Sequence, residues 1–177
     1  WPGKIKPGQV SNEIVSGLDW CPTLLAAAGN VDVKEKLLKG YEAAGKTFRL
    51  HLDGYNQLPY LTGEQTKSAR ENFFYFNDDG DLVGLRYANW KIVFLEQRAP
   101  GTMEVWAEPF TPLRVPKFFD LHADPFERAD ITSNTYWDWM LDHAYIAYGA
   151  QAGAAKFLAT FKEYPPSQRA ASFTIDQ

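Results

Sequence analysis

The spacing of apolar residues changes near residue 72. Before this point apolar residues occur in short helix-like stretches separated by turns, and beyond it they follow a strand-like pattern. The strand-like segments are residues 73–76, 82–87, 90–95 and 117–121, and the second and third can form a hairpin around residues 88–89. We therefore predict an antiparallel sheet of about four strands.

A helical spacing follows the last of these strands. Apolar residues recur three and four positions apart from residue 137 to residue 159, and Ser133 or Asn134 can cap the start of a helix. This pattern predicts one long helix whose apolar stripe covers the sheet. Pro165 and Pro166 break the helix, and a short tail at residues 167–177 is expected either to wrap back or to stay unattached.

The first part of the chain predicts an apolar helix. Residues 1–10 hold Pro and Gly turns, and residues 10–18 are expected to be extended. Asp19 can then cap a helix that stops at Gly29. Because this helix is apolar on nearly every face, we expect it to lie between the layers of a larger structure.

A second helix and a polar loop follow. Residues 33–44 predict a short amphipathic helix, and residues 49–59 predict a loop with a turn at Asp53 and Gly54.

Composition narrows the class of protein. The chain has 177 residues, of which 45% are hydrophobic and 15% aromatic, so it can bury a substantial core. The formal net charge of -4, without a basic stripe, argues against a nucleic-acid partner. No apolar run reaches the roughly 18 residues that a membrane helix needs, so no membrane span is expected.

The first residues of the chain carry no targeting signal. The chain starts with Trp1 rather than Met, and the apolar stretch of a signal peptide is absent. We expect that the chain begins inside a longer protein, whose targeting segment would lie upstream of residue 1. The sequence therefore does not indicate a compartment.

Cys21 and residues 77–81 carry groups that occur in catalytic and metal-binding sites. Cys21 is the single cysteine, so an internal disulfide is excluded, and its apolar neighbours predict a buried, core-filling thiol. Residues 77–81 hold clustered carboxylates and a glycine, but Arg86 stands where a calcium loop would place a bidentate Glu. A solvated hairpin turn is the better interpretation.

The histidines are far apart in sequence. His122 at a strand end and His143 in the long helix are interpreted as hydrogen-bonded structural residues. His51 lies in a polar, turn-rich segment with Asp53 and Tyr55, and functional groups concentrate on such loops. An ordinary surface loop remains an equally open interpretation.

Eight segments follow one another along the chain: WPGKI at residues 1–5, LDWCPTLLAAAG at 18–29, LDGYN at 52–56, LTG at 61–63, FFYF at 73–76, the hairpin at 85–91, FDL at 119–121 and DPFER at 124–128. In this order they resemble the closing third of arylsulfatases in the alkaline-phosphatase-like superfamily. The resemblance covers nearly the whole chain. Each piece alone is weak, whereas the ordered set is fairly specific.

The resemblance implies an α+β fold, with a small antiparallel sheet of about four strands packed against a long C-terminal helix. The last strand and helix of a larger α/β sulfatase domain would precede it. The implied boundaries are residues 1–65 for the end of the α/β domain with its connecting loops, and residues 66–177 for the sheet-plus-helix subdomain. The missing N-terminal catalytic domain is then the expected partner of this chain.

The resemblance also implies chemistry that lies upstream of this chain. Family members hydrolyse sulfate esters with a formylglycine made in a Cys/Ser-x-Pro-x-Arg motif, and calcium is expected in the parent enzyme. Cys21 fails that motif, because Pro22 follows it directly and Leu25 stands where Arg is required. No catalytic or metal residue can be carried over, and no cofactor is expected in this chain.

The leading hypothesis is a C-terminal part of an arylsulfatase-like sulfuric ester hydrolase that is inert alone. His51, Asp53 and Tyr55 are its hypothetical substrate-binding residues, lining a pocket completed by the other domain. One alternative is a non-enzymatic interaction module that docks a separate partner through its aromatic surface. Another is a part of a phosphonate or phosphate ester hydrolase of the same superfamily. Apolar patches left by the missing domain also predict self-association.

Overall fold

The computed structural model describes residues 1–166, so the predicted tail at residues 167–177 lies outside the described residues. The chain divides into two units, Trp1–Glu71 and Asn72–Gln177, here called unit 1 and unit 2.

Unit 1 is built from short elements joined by long connections. After a 3-10 turn at Gly17–Asp19, its elements are α1 (Trp20–Ala27), α2 (Val33–Lys39), β1 (Tyr41–Ala43), β2 (Lys46–Phe48) and α3 (Leu58–Leu61). Residues 10–16, predicted as extended, form no strand. A strand needs a neighbour to pair with, and the ladders that the structure describes offer this segment none.

The predicted helix over residues 33–44 is wrong in its second half. Gly40 has a φ of 104°, which ends α2, and β1 then pairs antiparallel with β2. Ala44 and Gly45 connect these strands with φ values of 49° and 73°. Two successive left-handed residues are what a tight two-residue hairpin turn requires. The turn geometry therefore overrides the helical spacing here.

Unit 2 contains the predicted antiparallel sheet. Its elements are β3 (Asn72–Phe76), β4 (Leu82–Tyr87), β5 (Trp90–Gln97), α4 (Glu104–Ala107), β6 (Phe110–Asp120), α5 (Ala129–Thr132), α6 (Tyr136–Asp142) and α7 (Tyr145–Leu158). The four longer strands run in the order β3-β4-β5-β6, with antiparallel neighbours. The predicted fold class, a small antiparallel sheet with a C-terminal helix, is confirmed.

The last strand is longer than predicted, because it begins at Phe110 rather than Lys117. It passes through Pro112 and Pro116, which lack the N–H that a ladder uses. Among the described residues β6 lies at the edge of the sheet, so one side of the strand pairs with none of them and proline is tolerated there.

The core of unit 2 lies between the sheet and the helices. Tyr136, the first residue of α6, is buried, and its hydroxyl donates to the carbonyl oxygen of Phe118 at 3.0 Å and accepts from the Phe118 N–H at 3.1 Å. This exchange ties the helix to β6. The fully buried hydrophobic residues of the cluster are Leu85, Ile92, Phe118, Phe119, Tyr136, Met140 and Ala150.

The C-terminal helical region is interrupted after Asp142. The backbone of His143 leaves the helical region, with ψ at 16°, and its Nδ1 lies 2.7 Å from the carbonyl oxygen of Trp139. The predicted single helix therefore becomes α6 and α7. Within residues 1–166, none of the helices has the length and hydropathy that a bilayer crossing requires.

Candidate functional site

The loop with the three candidate residues lies in unit 1, between β2 and α3. His51 Nδ1 lies 3.0 Å from Asp53 Oδ1, so the structure brings two of the three together. Tyr55, two residues further on, keeps 37% of its surface exposed. These side chains carry an imidazole, a carboxylate and a phenol.

A buried ion pair underlies this loop. Asp19 is 1% exposed and Arg70 is 5% exposed. Arg70 Nη2 donates to Asp19 Oδ1 at 2.6 Å, and Nε donates to Oδ2 at 2.9 Å, so the contact uses both ends of the guanidinium fork. Bidentate pairs of this kind combine a strong charge interaction with a defined geometry.

The ion pair holds the loop backbone through several bonds. Asp19 Oδ1 accepts from the Tyr55 N–H at 2.8 Å, and Arg70 Nη2 donates to the Asp53 carbonyl oxygen at 3.0 Å. The amide of Gln57, also buried, donates to Asp19 Oδ2 at 3.2 Å. The main chain on either side of Gly54 is therefore fixed by groups that water does not reach.

The pKa of Asp19 reflects these contacts. Burial alone would raise the pKa, but hydrogen bonds from Arg70, the Ser16 N–H, the Tyr55 N–H and Gln57 together lower it from its ordinary value of 3.8. The carboxylate is therefore ionised at neutral pH and neutralises Arg70.

Two cations lie over the Tyr55 ring. Lys34 Nζ lies 4.4 Å from the ring centroid, and Arg70 Cζ lies 4.8 Å from it. Lys34 Nζ also donates to the Gly54 carbonyl oxygen at 3.1 Å. Cations held against an aromatic face are attracted by its quadrupole, so both contacts restrict the ring.

The sequence did not indicate the residues beneath the loop. Asp19 was predicted to cap α1, but its side chain makes no cap hydrogen bond to that helix and pairs with Arg70, 51 residues away. Ser16 instead caps the 3-10 turn at Gly17–Asp19. Nothing in the sequence around Arg70 or Gln57 indicates that they contact Asp19, because residues so far apart along the chain share no local pattern.

The prediction that Cys21 fills a core is wrong for this chain, because Cys21 is exposed. Only Pro22, Thr23 and Ala26 of α1 are buried. Trp20 and Leu24 are 54% and 62% exposed. The helix is apolar all round, as predicted, but within unit 1 only one of its faces is covered.

The other candidates lie outside unit 1. In the turn at residues 77–81, Asn77 Oδ1 accepts from the N–H groups of Asp79 and Asp81, as expected for a hairpin turn. His143 packs beside Trp139, with ring centroids 4.6 Å apart, and His122 is exposed after β6. In residues 1–166, no group of three or more His, Cys, Asp or Glu side chains could hold a metal ion.

Sequence comparison finds sulfatases, although no family model matches the chain. Human arylsulfatase A is 30% identical over an aligned length of 142 residues including gaps, and the match covers 74% of this chain and 24% of that protein. Steryl-sulfatase of Rattus norvegicus is 28% identical over an aligned length of 180 residues including gaps, and the match covers 93% of this chain and 28% of that protein. The chain thus spans about a quarter of the length of the curated relatives it matches.

Structural comparison gives the same fold. The crystal structure of PsFucS1 sulfatase from Pseudoalteromonas sp. matches 95% of this chain and 30% of that chain, with a TM-score of 0.67 and 24% sequence identity. At this identity the match concerns the fold alone. Together with the sequence similarity, it confirms the resemblance predicted from the ordered segments.

Proposed function

We propose that this chain, which is a C-terminal portion of a sulfatase, completes the fold of a sulfuric ester hydrolase and contributes one wall of its substrate pocket. The observation that carries the proposal is the sequence similarity to arylsulfatase A over 74% of the chain. The catalytic groups would come from an N-terminal domain, and the chain alone would be inert.

The geometry of the loop supports a role in the pocket. A residue that contacts substrate must be held in one position, and the buried pair of Asp19 and Arg70 fixes the backbone on either side of Gly54. His51 and Tyr55 project from this fixed backbone while retaining accessible surface. A rigid loop with exposed polar tips is typical of a binding wall.

The apolar face of α1 supports a partner domain. Leu18, Trp20 and Leu24 are each at least half exposed, although all three are large and apolar. Exposed apolar side chains on neighbouring turns are common where another protein surface packs. We propose that the N-terminal domain covers this face.

We propose that the calcium expected in the parent enzyme is not bound by residues 1–166. Residues 1–166 contain no cluster of three or more possible ligands, so the residues described here do not fit a calcium site. These residues instead supply one wall of the pocket and an apolar face that packs against the N-terminal domain.

Substituting the loop residues tests their role in the pocket. In the complete gene product, we expect His51→Ala and Tyr55→Ala each to lower kcat/KM for aryl sulfates by about tenfold, because the lost contacts position the substrate. Two aryl sulfates of different size should be compared, with Glu42→Ala in exposed β1 as the control. Unchanged values for both variants on both substrates would remove the loop from the pocket.

The uncovered apolar face also predicts association of the isolated chain. We expect its weight-average mass in sedimentation to rise with concentration, because exposed Trp20 and Leu24 can pack against a second copy. The double substitution Trp20→Ser/Leu24→Ser should reduce the effect. A chain that stays monomeric at every concentration would contradict this prediction.

A further inference from the structure

Lys34 bonds to the loop backbone rather than to a carboxylate of the described residues. It is the second residue of α2, in the first turn, where the helix dipole disfavours a cation. Two residues on, Lys36 Nζ is paired with Asp32 at 2.7 Å. Within residues 1–166, no carboxylate oxygen lies within 4.0 Å of Lys34 Nζ.

The surroundings of Lys34 favour an added negative charge. Burial is the main cause that lowers the pKa of this lysine; the charge of Arg70 lowers it further, and the charges of Asp53, Glu35 and Asp19 only partly oppose this. Asp19 is bonded to Arg70, and Asp53 is bonded to His51. Burial disfavours the charged form of Lys34, and the neighbouring carboxylates compensate for this only in part. An anion bound beside Lys34 would therefore stabilise its positive charge.

Tyr55 supplies a flat surface next to this ammonium. Its ring lies under both Lys34 and Arg70, and its backbone N–H is bonded to buried Asp19. The ring is therefore held in place while 37% of the residue stays exposed. A fixed aromatic beside an ammonium suits a ligand that combines a ring with an anionic group.

We propose that Lys34 and Tyr55 form a recognition site for a second anionic group, a carboxylate or a sulfate, carried on the ring of the ester substrate. The proposal rests on the proposed function, since it requires this loop to face the substrate. The Lys34 ammonium has three N–H donors, and one of them bonds to the Gly54 carbonyl oxygen. The other donors would bind the second anion. The scissile sulfate would be bound elsewhere.

The test compares three esters in the complete gene product. They are 4-nitrophenyl sulfate, its 2-carboxy derivative, and the disulfate of 4-nitrocatechol. We expect Lys34→Met to raise KM for an ester with a second anion by about tenfold, with kcat nearly unchanged, because a charge-assisted hydrogen bond is lost. The rise in KM for 4-nitrophenyl sulfate, which has no second anion, should be at least about threefold smaller than this.

Two further variants distinguish recognition of the second anion by Lys34 from a general effect of the substitution on the fold. Lys34→Arg keeps the charge and should recover most of the affinity for the second anion, whereas Lys36→Met, on the same helix but paired with Asp32, should behave as wild type. An effect on the carboxylated ester alone identifies a carboxylate site, and one on the disulfate alone identifies a sulfate site. Equal effects on all three esters, or no effect on any, would overturn the proposal.

Binding of the products makes the site testable without hydrolysis. Calorimetry should show that wild type binds 5-nitrosalicylate more tightly than 4-nitrophenol and that Lys34→Met removes the difference. If the gene product hydrolyses no sulfate ester, the proposed function fails, and this binding difference still decides whether Lys34 recognises an anion. Equal binding of both products by wild type would overturn the site.

Discussion

Replacing Asp19 with Asn should lower the free energy of unfolding of unit 1 by about 3–5 kcal/mol, because it leaves the buried Arg70 guanidinium without its counter-ion. The substitution keeps the shape of the side chain and removes the charge. The backbone N–H of Tyr55 donates to Asp19, and the backbone N–H of Gln57 donates to neighbouring Thr23 Oγ1, so hydrogen exchange at these two positions in increasing urea reports the loss locally.

A double substitution and an exposed pair provide the controls. Asp19→Leu/Arg70→Met removes both charges, so it should cost less than the two single changes added together. Asp32→Asn breaks the exposed pair with Lys36 and should leave exchange at Tyr55 unchanged. Equal exchange rates in wild type and Asp19→Asn would show that the ion pair does not hold the loop.

The same carboxylate predicts a dependence on pH. Because folding lowers the pKa of Asp19 from 3.8, the ionised group stabilises unit 1 above pH 3.8. That contribution is lost as the pH falls through the lowered folded-state pKa. Asp19→Asn lacks this titration, so wild type and variant should converge in stability in acid.

The second large effect is expected at Gly54. A Cβ atom here would overlap the carbonyl oxygen of Leu18 and would lie 3.0 Å from Pro22 Cγ. The loop must therefore move, and we expect Gly54→Ala to destabilise unit 1 by about 1–3 kcal/mol, as overpacking does. In the complete gene product, the displaced loop should also raise KM for aryl sulfates.

Gly17 is the matched control for Gly54. A Cβ at Gly17 meets no atom within 4 Å, and its φ is not in the left-handed region. Gly17→Ala should therefore change neither urea unfolding nor KM. If Gly54→Ala behaves like Gly17→Ala in both measurements, then the close approach of the loop to Leu18 does not determine its position.

The sheet of unit 2 is predictable from the sequence, because the residues that indicate its strands and turns are close together along the chain. Strand-like spacing located β3 and the hairpin of β4 and β5, and the turn at residues 88–89 was recognisable from its two short flanking strands. The start of β6 was missed, since Pro112 and Pro116 usually argue against a strand. Only the edge position, which depends on the whole sheet, makes them acceptable.

The composition of the sequence indicates the candidate loop, but it does not indicate the buried ion pair that fixes the loop. His51, Asp53 and Tyr55 lie in a polar, turn-rich segment that any reader of the sequence can locate. Asp19 was assigned to a helix cap, because the local pattern of an acidic residue before an apolar helix favours it. Its actual partner is 51 residues away, a separation that one sequence cannot reveal.

The most direct test of the proposed function compares two proteins, the complete gene product and the 177-residue chain alone. Each is assayed with 4-nitrophenyl sulfate and, to separate the related ester hydrolases, with 4-nitrophenyl phosphate and a phosphonate ester. We predict that the complete product hydrolyses the sulfate ester in preference to the others and that the chain alone hydrolyses none. Sulfate hydrolysis by the chain alone, or a complete product that prefers phosphate or phosphonate, would contradict this.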